Sequence, residues 1–126
     1  MLDLNRFAQE VHENAVAHGW WEEERKFPEI IALCHSELSE ALEEYRNDRP
    51  AFYYEIGIDY KDMIPVIDYA RLVRGEKPEG IAVEMADCII RILDWCGKEG
   101  IDIESILKAK HEYNKTRPYK HGGKKA

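Results

Sequence analysis

The sequence has no apolar run long enough to cross a bilayer, and its start, MLDLNRFAQE, lacks the basic-then-apolar order of a secretion signal. It also has only three cysteines, Cys34, Cys88 and Cys96, an odd number without metal-ligand spacing. The cysteine pattern excludes a disulfide scaffold and a cysteine-based zinc site. Together these absences predict a cytoplasmic protein whose cysteines are buried, reduced thiols.

Acidic residues outnumber basic residues in the sequence. The chain of 126 residues has a formal net charge of −7 and is 44% hydrophobic. That length suits one domain with a core of its own. The acidic balance predicts no nucleic-acid partner and no anionic membrane partner. An anionic ligand would need a local cationic site or a bound metal ion.

Helical periodicity recurs along the chain and no strand pattern dominates, so we expect an all-α fold of four main helices plus a short inserted helix. The helix boundaries are predicted from proline in a first turn, glycine after a last turn and Asp102 as a helix cap. The predicted helices cover Asp3–His18, Pro28–Asn47, residues 66–74, Pro78 or Glu79 to Cys96, and Ile103–Lys115. Residues 48–64 read as irregular, and Gly97 and Gly100 are expected to stop the fourth helix after Cys96.

One acidic residue of the second helix falls on the side predicted to face the core. At about 100° per residue, Glu37 projects between Ile30 and Leu33, within the apolar arc of the helix. Glu40 and Glu44 follow along the same edge. The sequence therefore predicts a line of carboxylates bordering the core.

A second acidic pair occurs on the fourth predicted helix, which is apolar around most of its circumference. Its narrow polar stripe holds Glu84 and Asp87, again three residues apart, followed by Arg91. Carboxylates brought together in a low dielectric repel one another unless a cation joins them. Oxygen ligands without sulfur or histidine suit Mg²⁺ or Mn²⁺. The alternatives are that both stripes face solvent, or that Glu84 pairs with Arg91 and Glu40 with Arg46.

Two further stretches form a pattern together with the acidic pairs. They are PEGIAVEMADCIIRILDWCGKEGIDIE and the tail KHEYNKTRPYKHGGKK. With the pairs Glu37-x-x-Glu40 and Glu84-x-x-Asp87, the chain from His18 to its end resembles the MazG-like branch of the all-α nucleoside triphosphate pyrophosphatases. Two features depart from that pattern. Ser36 stands where many relatives have a second glutamate. The segment between the two acidic helices, residues 49–79, is also longer than in many relatives.

The resemblance implies a single domain over residues 1–126, with residues 49–79 as an insertion and residues 118–126 as a basic tail. It implies Mg²⁺-dependent hydrolysis of a nucleoside triphosphate, such as a dNTP or a non-canonical NTP, to monophosphate and pyrophosphate. Mn²⁺ is a possible substitute for Mg²⁺. The metal ligands would be Glu37, Glu40, Glu84 and Asp87.

The hypothetical mechanism is attack of water on the α-phosphorus, with Glu40 or Glu44 accepting the proton. Lys110, Asn114 and Arg117, spaced i, i+4, i+7, would share a face and bind phosphates if the last helix continues far enough. A solvated basic helix end is the structural alternative. Trp20 and Trp21 are candidates for stacking on a base, or for closing one end of the bundle.

Two other functions stay open at this point: a non-catalytic helical oligomer, and a Mg²⁺-dependent hydrolase of another nucleotide phosphoanhydride. The apolar circumference of the fourth helix exceeds what one small bundle covers, so we expect a homodimer or homotetramer. The interface would involve Ile89, Ile90, Leu93 or Trp95.

Overall fold

The computed structural model describes residues 2–54 and 67–119. These residues form five α-helices and two very short strands. In chain order the elements are α1 (Leu4–Ala17), α2 (Phe27–Arg46), β1 (Tyr53–Tyr54), α3 (Tyr69–Val73), β2 (Pro78–Glu79), α4 (Ile81–Glu99) and α5 (Ile103–Lys115). The predicted all-α class is confirmed for the described part of the chain, apart from the two-residue strands.

The fourth helix does not end where the sequence predicted. Gly97 lies inside α4, which continues to Glu99, and Gly100 follows with a φ of +66°. Gly97 serves packing rather than termination, because a Cβ atom at this position would lie 2.5 Å from the backbone oxygen of Ala8. Glycine thus lets α1 and the last turns of α4 approach closely.

The small sheet is the element that the sequence did not predict. β1 and β2 pair antiparallel, with Tyr53 opposite Glu79 and Tyr54 opposite Pro78. The predicted helix start at Pro78 or Glu79 is therefore wrong, and α4 begins after Gly80. Gly80 has a φ of +120° and faces the backbone of Ala51 too closely for any Cβ atom.

The described chain falls into two compact units. Among the described residues, the first unit comprises 2–20 and 93–119, and the second comprises 21–54 and 67–92. The core of the first unit is built from Ala8, Leu93 and Cys96, with further apolar side chains packed against them. Those further side chains are Phe7, Trp95, Ile101 and Ile103.

In the first unit, the starts of α1 and α5 are joined by hydrogen bonds. Asp102 caps α5 by accepting from the Ser105 amide at 3.1 Å, as predicted, and also accepts from the Asn5 side-chain amide at 2.8 Å. The Glu104 amide donates to the Asn5 side-chain oxygen at 3.2 Å. Because these bonds satisfy helix-end amides that have no intrahelical partner, they fix the two helix starts together.

The second unit holds α2, the small sheet, α3 and α4 as far as Ile92. Tyr53 and Tyr54 are fully buried in it. Cys34 and Cys88 are buried there as well, and Cys96 is buried in the first unit. All three are free thiols, as predicted, and burial raises the pKa of Cys34 and of Cys96, which keeps these thiols unreactive.

Parts of the predicted insertion and tail, residues 55–66 and 120–126, lie outside the described residues. Within the described ranges, no helix combines the length and the apolar character needed to cross a membrane.

Gly97→Ala tests the close approach of α1 and α4. Alanine ordinarily stabilises a helix interior by about 1 kcal/mol relative to glycine. Here the new Cβ would meet the Ala8 backbone, so we expect the variant to lose about 1–3 kcal/mol of unfolding free energy. Chemical denaturation measures the change. The control Glu99→Ala, at an exposed position of the same helix, should stay within about 0.5 kcal/mol of wild type. A Gly97→Ala variant more stable than wild type would refute the close packing.

Candidate metal centre

Two helices of the second unit bring acidic side chains together. Cys34 of α2 contacts Cys88 of α4. Six residues further along α2, Glu40 contacts Glu84, which lies four residues before Cys88 on α4. The helices therefore run antiparallel. Carboxylate oxygens of Glu37, Glu84 and Asp87 all lie within 4.8 Å of one another. We call these three residues the acidic cluster.

Glu37 is the most unusual member of the acidic cluster. It is only 7% exposed and is the one buried charged residue in the described part of the chain. The position confirms that Glu37 faces inward, as the helical periodicity of α2 predicted. Glu84 and Asp87 are partly buried. Such burial is costly for a carboxylate unless a cation or hydrogen-bond donors compensate for the lost water.

The crowding changes the acidity of two of these residues. Burial, followed by a hydrogen bond to Glu40 and repulsion from the nearby carboxylates, raises the pKa of Glu84 to about 8. Burial and the charge of Glu37 also raise the pKa of Asp87. At neutral pH, Glu84 therefore holds a proton and donates it in the hydrogen bond to Glu40. Glu40 itself is exposed, at the edge of the acidic cluster.

A guanidinium group contacts the buried carboxylate. Arg91 Nε donates to Glu37 Oε1 at 2.8 Å. The alternative pairing of Arg91 with Glu84, and that of Arg46 with Glu40, is not what the structure shows, because Arg46 lies 3.7 Å from Glu43. Arg91 thus bridges α4 to α2.

The two candidate proton acceptors differ in their surroundings. Glu44 accepts hydrogen bonds from the Tyr53 hydroxyl at 2.9 and 3.1 Å and lies 3.7 Å from Arg49. Burial, followed by this hydrogen bond, raises the pKa of Tyr53 to about 12. Glu44 is therefore engaged in holding a buried tyrosine, whereas Glu40 borders the acidic cluster.

The donor set of the acidic cluster fits a hard divalent cation. It offers carboxylate oxygens from two helices, and the carboxylate of Glu37 is buried. Carboxylate oxygens are the ligands that Mg²⁺ and Mn²⁺ prefer. A bound dication would also offset the repulsion that now keeps a proton on Glu84. Of the four predicted ligands, Glu37, Glu84 and Asp87 meet directly, and Glu40 joins them through its hydrogen bond to Glu84.

The predicted phosphate-binding residues belong to the first unit. Lys110 and Asn114 lie on α5, but α5 ends at Lys115, so Arg117 lies beyond the helix rather than on its face. Lys110 and Arg117 nevertheless come together over the ring of Tyr113, with Lys110 Nζ at 4.7 Å and the Arg117 guanidinium carbon at 5.9 Å from its centre.

The predicted base-stacking tryptophans follow α1. Trp20 is exposed and its amide donates to the Ala15 carbonyl at 3.0 Å, beyond the end of the helix. Trp21 is partly buried. These positions leave the stacking role a prediction.

The sequence did not predict the contacts that Arg91, Arg49 and Tyr53 make with the acidic residues. The alternative interpretation paired Arg91 with Glu84 along one helix, whereas the arginine reaches across to Glu37 on α2. No local signal marked Tyr53 as a donor to Glu44, because β1 has only two residues.

Comparison of the chain with models of protein families, with curated proteins and with solved structures gave no significant match.

The raised pKa of Glu84 predicts how the stability of the cation-free protein changes with pH. From the ordinary value of 4.5 up to about 8, the folded state binds more protons than the unfolded state. The unfolding free energy should therefore fall as pH rises through this window. Glu84→Gln removes this titration. Relative to wild type, we expect it to gain at least about 1 kcal/mol between about pH 5 and about pH 8.

Thermal or urea unfolding in the presence of a chelator measures this difference. Glu43→Gln, which alters an exposed glutamate of α2, should keep the wild-type pH dependence. Parallel pH curves for wild type and Glu84→Gln would contradict a protonated Glu84.

Proposed function

We propose that the protein is a Mg²⁺-dependent nucleoside triphosphate pyrophosphohydrolase that releases a nucleoside monophosphate and pyrophosphate. The observation that carries the proposal is the acidic cluster, in which Glu37, Glu84 and Asp87 from two antiparallel helices place carboxylate oxygens within 4.8 Å. The MazG-like pattern of these same residues supports a triphosphate as the substrate.

In this proposal, Glu37, Glu84 and Asp87 hold the cation and Glu40 completes the set. A divalent cation bound here would neutralise phosphate charge and make phosphorus more electrophilic. This matters because a protein of net charge −7 otherwise repels a triphosphate. Glu40 is exposed beside the acidic cluster, so it is better placed than Glu44 to accept the proton of an attacking water.

The phosphate-binding role of Lys110, Asn114 and Arg117 rests on the resemblance. Two cationic groups, from Lys110 and Arg117, gather at Tyr113, and all three of these side chains are accessible or partly accessible to solvent. Two neighbouring cationic groups suit the outer phosphates of a nucleotide.

We also propose that the protein self-associates, as a dimer or a dimer of dimers. In the second unit, α2 and α4 both expose large apolar side chains at helical spacing. The exposed residues are Ile31, Leu38, Leu42 and Tyr45 on α2, and Met85, Ile89 and Ile92 on α4. Burying such stripes favours association.

The residues predicted for the interface divide into two groups. Ile89 and Ile90 are exposed. Leu93 is buried in the core of the first unit, so it is covered by its own chain, and Trp95 is partly buried against that core.

Hydrolysis of a panel of canonical and modified nucleoside triphosphates, with both products identified, tests the activity. Glu84→Gln and Asp87→Asn should each lower turnover about 10²-fold, the scale for losing one group that stabilises transition-state charge. Glu43→Gln on the exposed side of α2 should leave turnover unchanged, since Glu43 lies outside the acidic cluster.

Other results of the same panel would revise the proposal. Release of orthophosphate, or hydrolysis confined to a different phosphoanhydride, would replace the proposed substrate class. A folded wild-type protein that hydrolyses nothing in the panel would contradict the enzyme and favour a non-catalytic oligomer.

Light scattering coupled to size exclusion tests the assembly. Wild type should have the mass of two or four chains at micromolar concentration, and Leu42→Glu together with Ile89→Glu should yield monomers, since charges placed in an apolar interface are strongly unfavourable. Ile106→Glu, at an exposed apolar position of α5 in the first unit, is the control and should keep the wild-type mass. A monomeric wild type would refute the proposed assembly.

A further inference from the structure

The buried carboxylate of the second unit already binds a cation of its own chain. Arg91 Nε lies 2.8 Å from Glu37 Oε1, and both side chains are largely shielded from solvent, with 24% and 9% of their surface exposed. A charge-assisted hydrogen bond in such surroundings is short and strong. The acidic cluster is thus a site where one positive charge is held in place.

Helix geometry places that positive charge beside all three members of the acidic cluster. Arg91 follows Asp87 by four residues and Glu84 by seven, so the three side chains share one face of α4. The guanidinium also acts on Asp87, because its charge opposes the rise in the pKa of that carboxyl. Arginine cannot release its proton, so its charge leaves the acidic cluster only if the side chain moves.

We propose that Arg91 is the resident counter-ion of the acidic cluster and that it competes with a divalent cation for Glu37. This inference rests on the metal site of the proposed function. In the cation-free protein the guanidinium stabilises the Glu37 carboxylate. When a dication binds, Arg91 gives up Glu37 Oε1 and turns outward.

Competition follows from charge. A dication bound among Glu37, Glu84 and Asp87 would sit close to the guanidinium, and like charges at this distance in a partly buried place repel strongly. Arg91 therefore lowers the cation affinity of the acidic cluster. It also keeps the fold intact when no cation is bound, because a buried carboxylate without a partner is destabilising.

Calorimetric titration of the nucleotide-free protein with Mg²⁺ and with Mn²⁺ tests the inference. Arg91→Met, which keeps much of the side-chain length but removes the charge, should raise the affinity for both ions about tenfold, equivalent to about 1.4 kcal/mol. Arg91→Lys keeps a positive charge and should stay closer to wild type. The control Arg46→Met removes the same charge from an exposed pair on α2 and should leave the affinity unchanged.

The outcomes separate this inference from the proposed function. Wild type that binds neither ion overturns the metal site itself, and the competition with it. Wild type that binds an ion, together with an unchanged or weakened affinity in Arg91→Met, overturns the role of Arg91 alone. The second result would mean that Arg91 holds Glu37 in place for the ion rather than competing with it.

Nuclear magnetic resonance of the wild-type protein gives a second reading that does not depend on a variant folding. In the cation-free state, the Nε proton of Arg91 should exchange slowly with water, because it is hydrogen-bonded to a buried carboxylate. Saturating Mg²⁺ should speed that exchange and shift the signal. A slow, unshifted Nε proton in the Mg²⁺-bound protein would refute displacement.

Discussion

The second unit depends on how the fold accommodates Glu37. Its carboxylate lies between α2 and α4 and is 7% exposed, and removing the partner of such a buried ion pair typically costs about 3–5 kcal/mol. Arg91 compensates for the lost hydration and in doing so links the two helices. The remaining repulsion is relieved by a proton on Glu84, whose pKa rises to about 8. The balance of charge, more than apolar packing, therefore limits which side chains this part of α2 and α4 can hold.

The two units satisfy their polar groups with different partners. In the first unit, Asp102 and Asn5 satisfy the amides at two helix starts, and Gly97 lets α1 and α4 approach closely. In the second unit, Tyr53 and Arg49 engage Glu44 away from the acidic cluster. Glu40 remains exposed beside the acidic cluster, which makes it the better candidate for accepting a proton.

Periodicity was enough to predict the four main helices, and it placed Glu37 on the buried side of α2, because 3.6 residues per turn fixes which side chains share a face. It was not enough for contacts between helices. Only the alternative interpretation gave Arg91 a partner, Glu84 on α4, and the structure instead pairs it with Glu37 on α2. Gly97 carries the local mark of a helix end, but packing against Ala8 keeps it within α4. β1 and β2 have two residues each, too few for an alternating pattern.

The central claim is that the carboxylates of Glu37, Glu84 and Asp87 bind a divalent cation. Anomalous diffraction from crystals grown with Mn²⁺ tests it most directly, since the metal is located without reference to activity. The account predicts an anomalous peak within about 2.0–2.3 Å of oxygens from these three side chains, with Arg91 withdrawn from Glu37. A well-ordered acidic cluster without a peak, in which Arg91 still donates to Glu37, would contradict it.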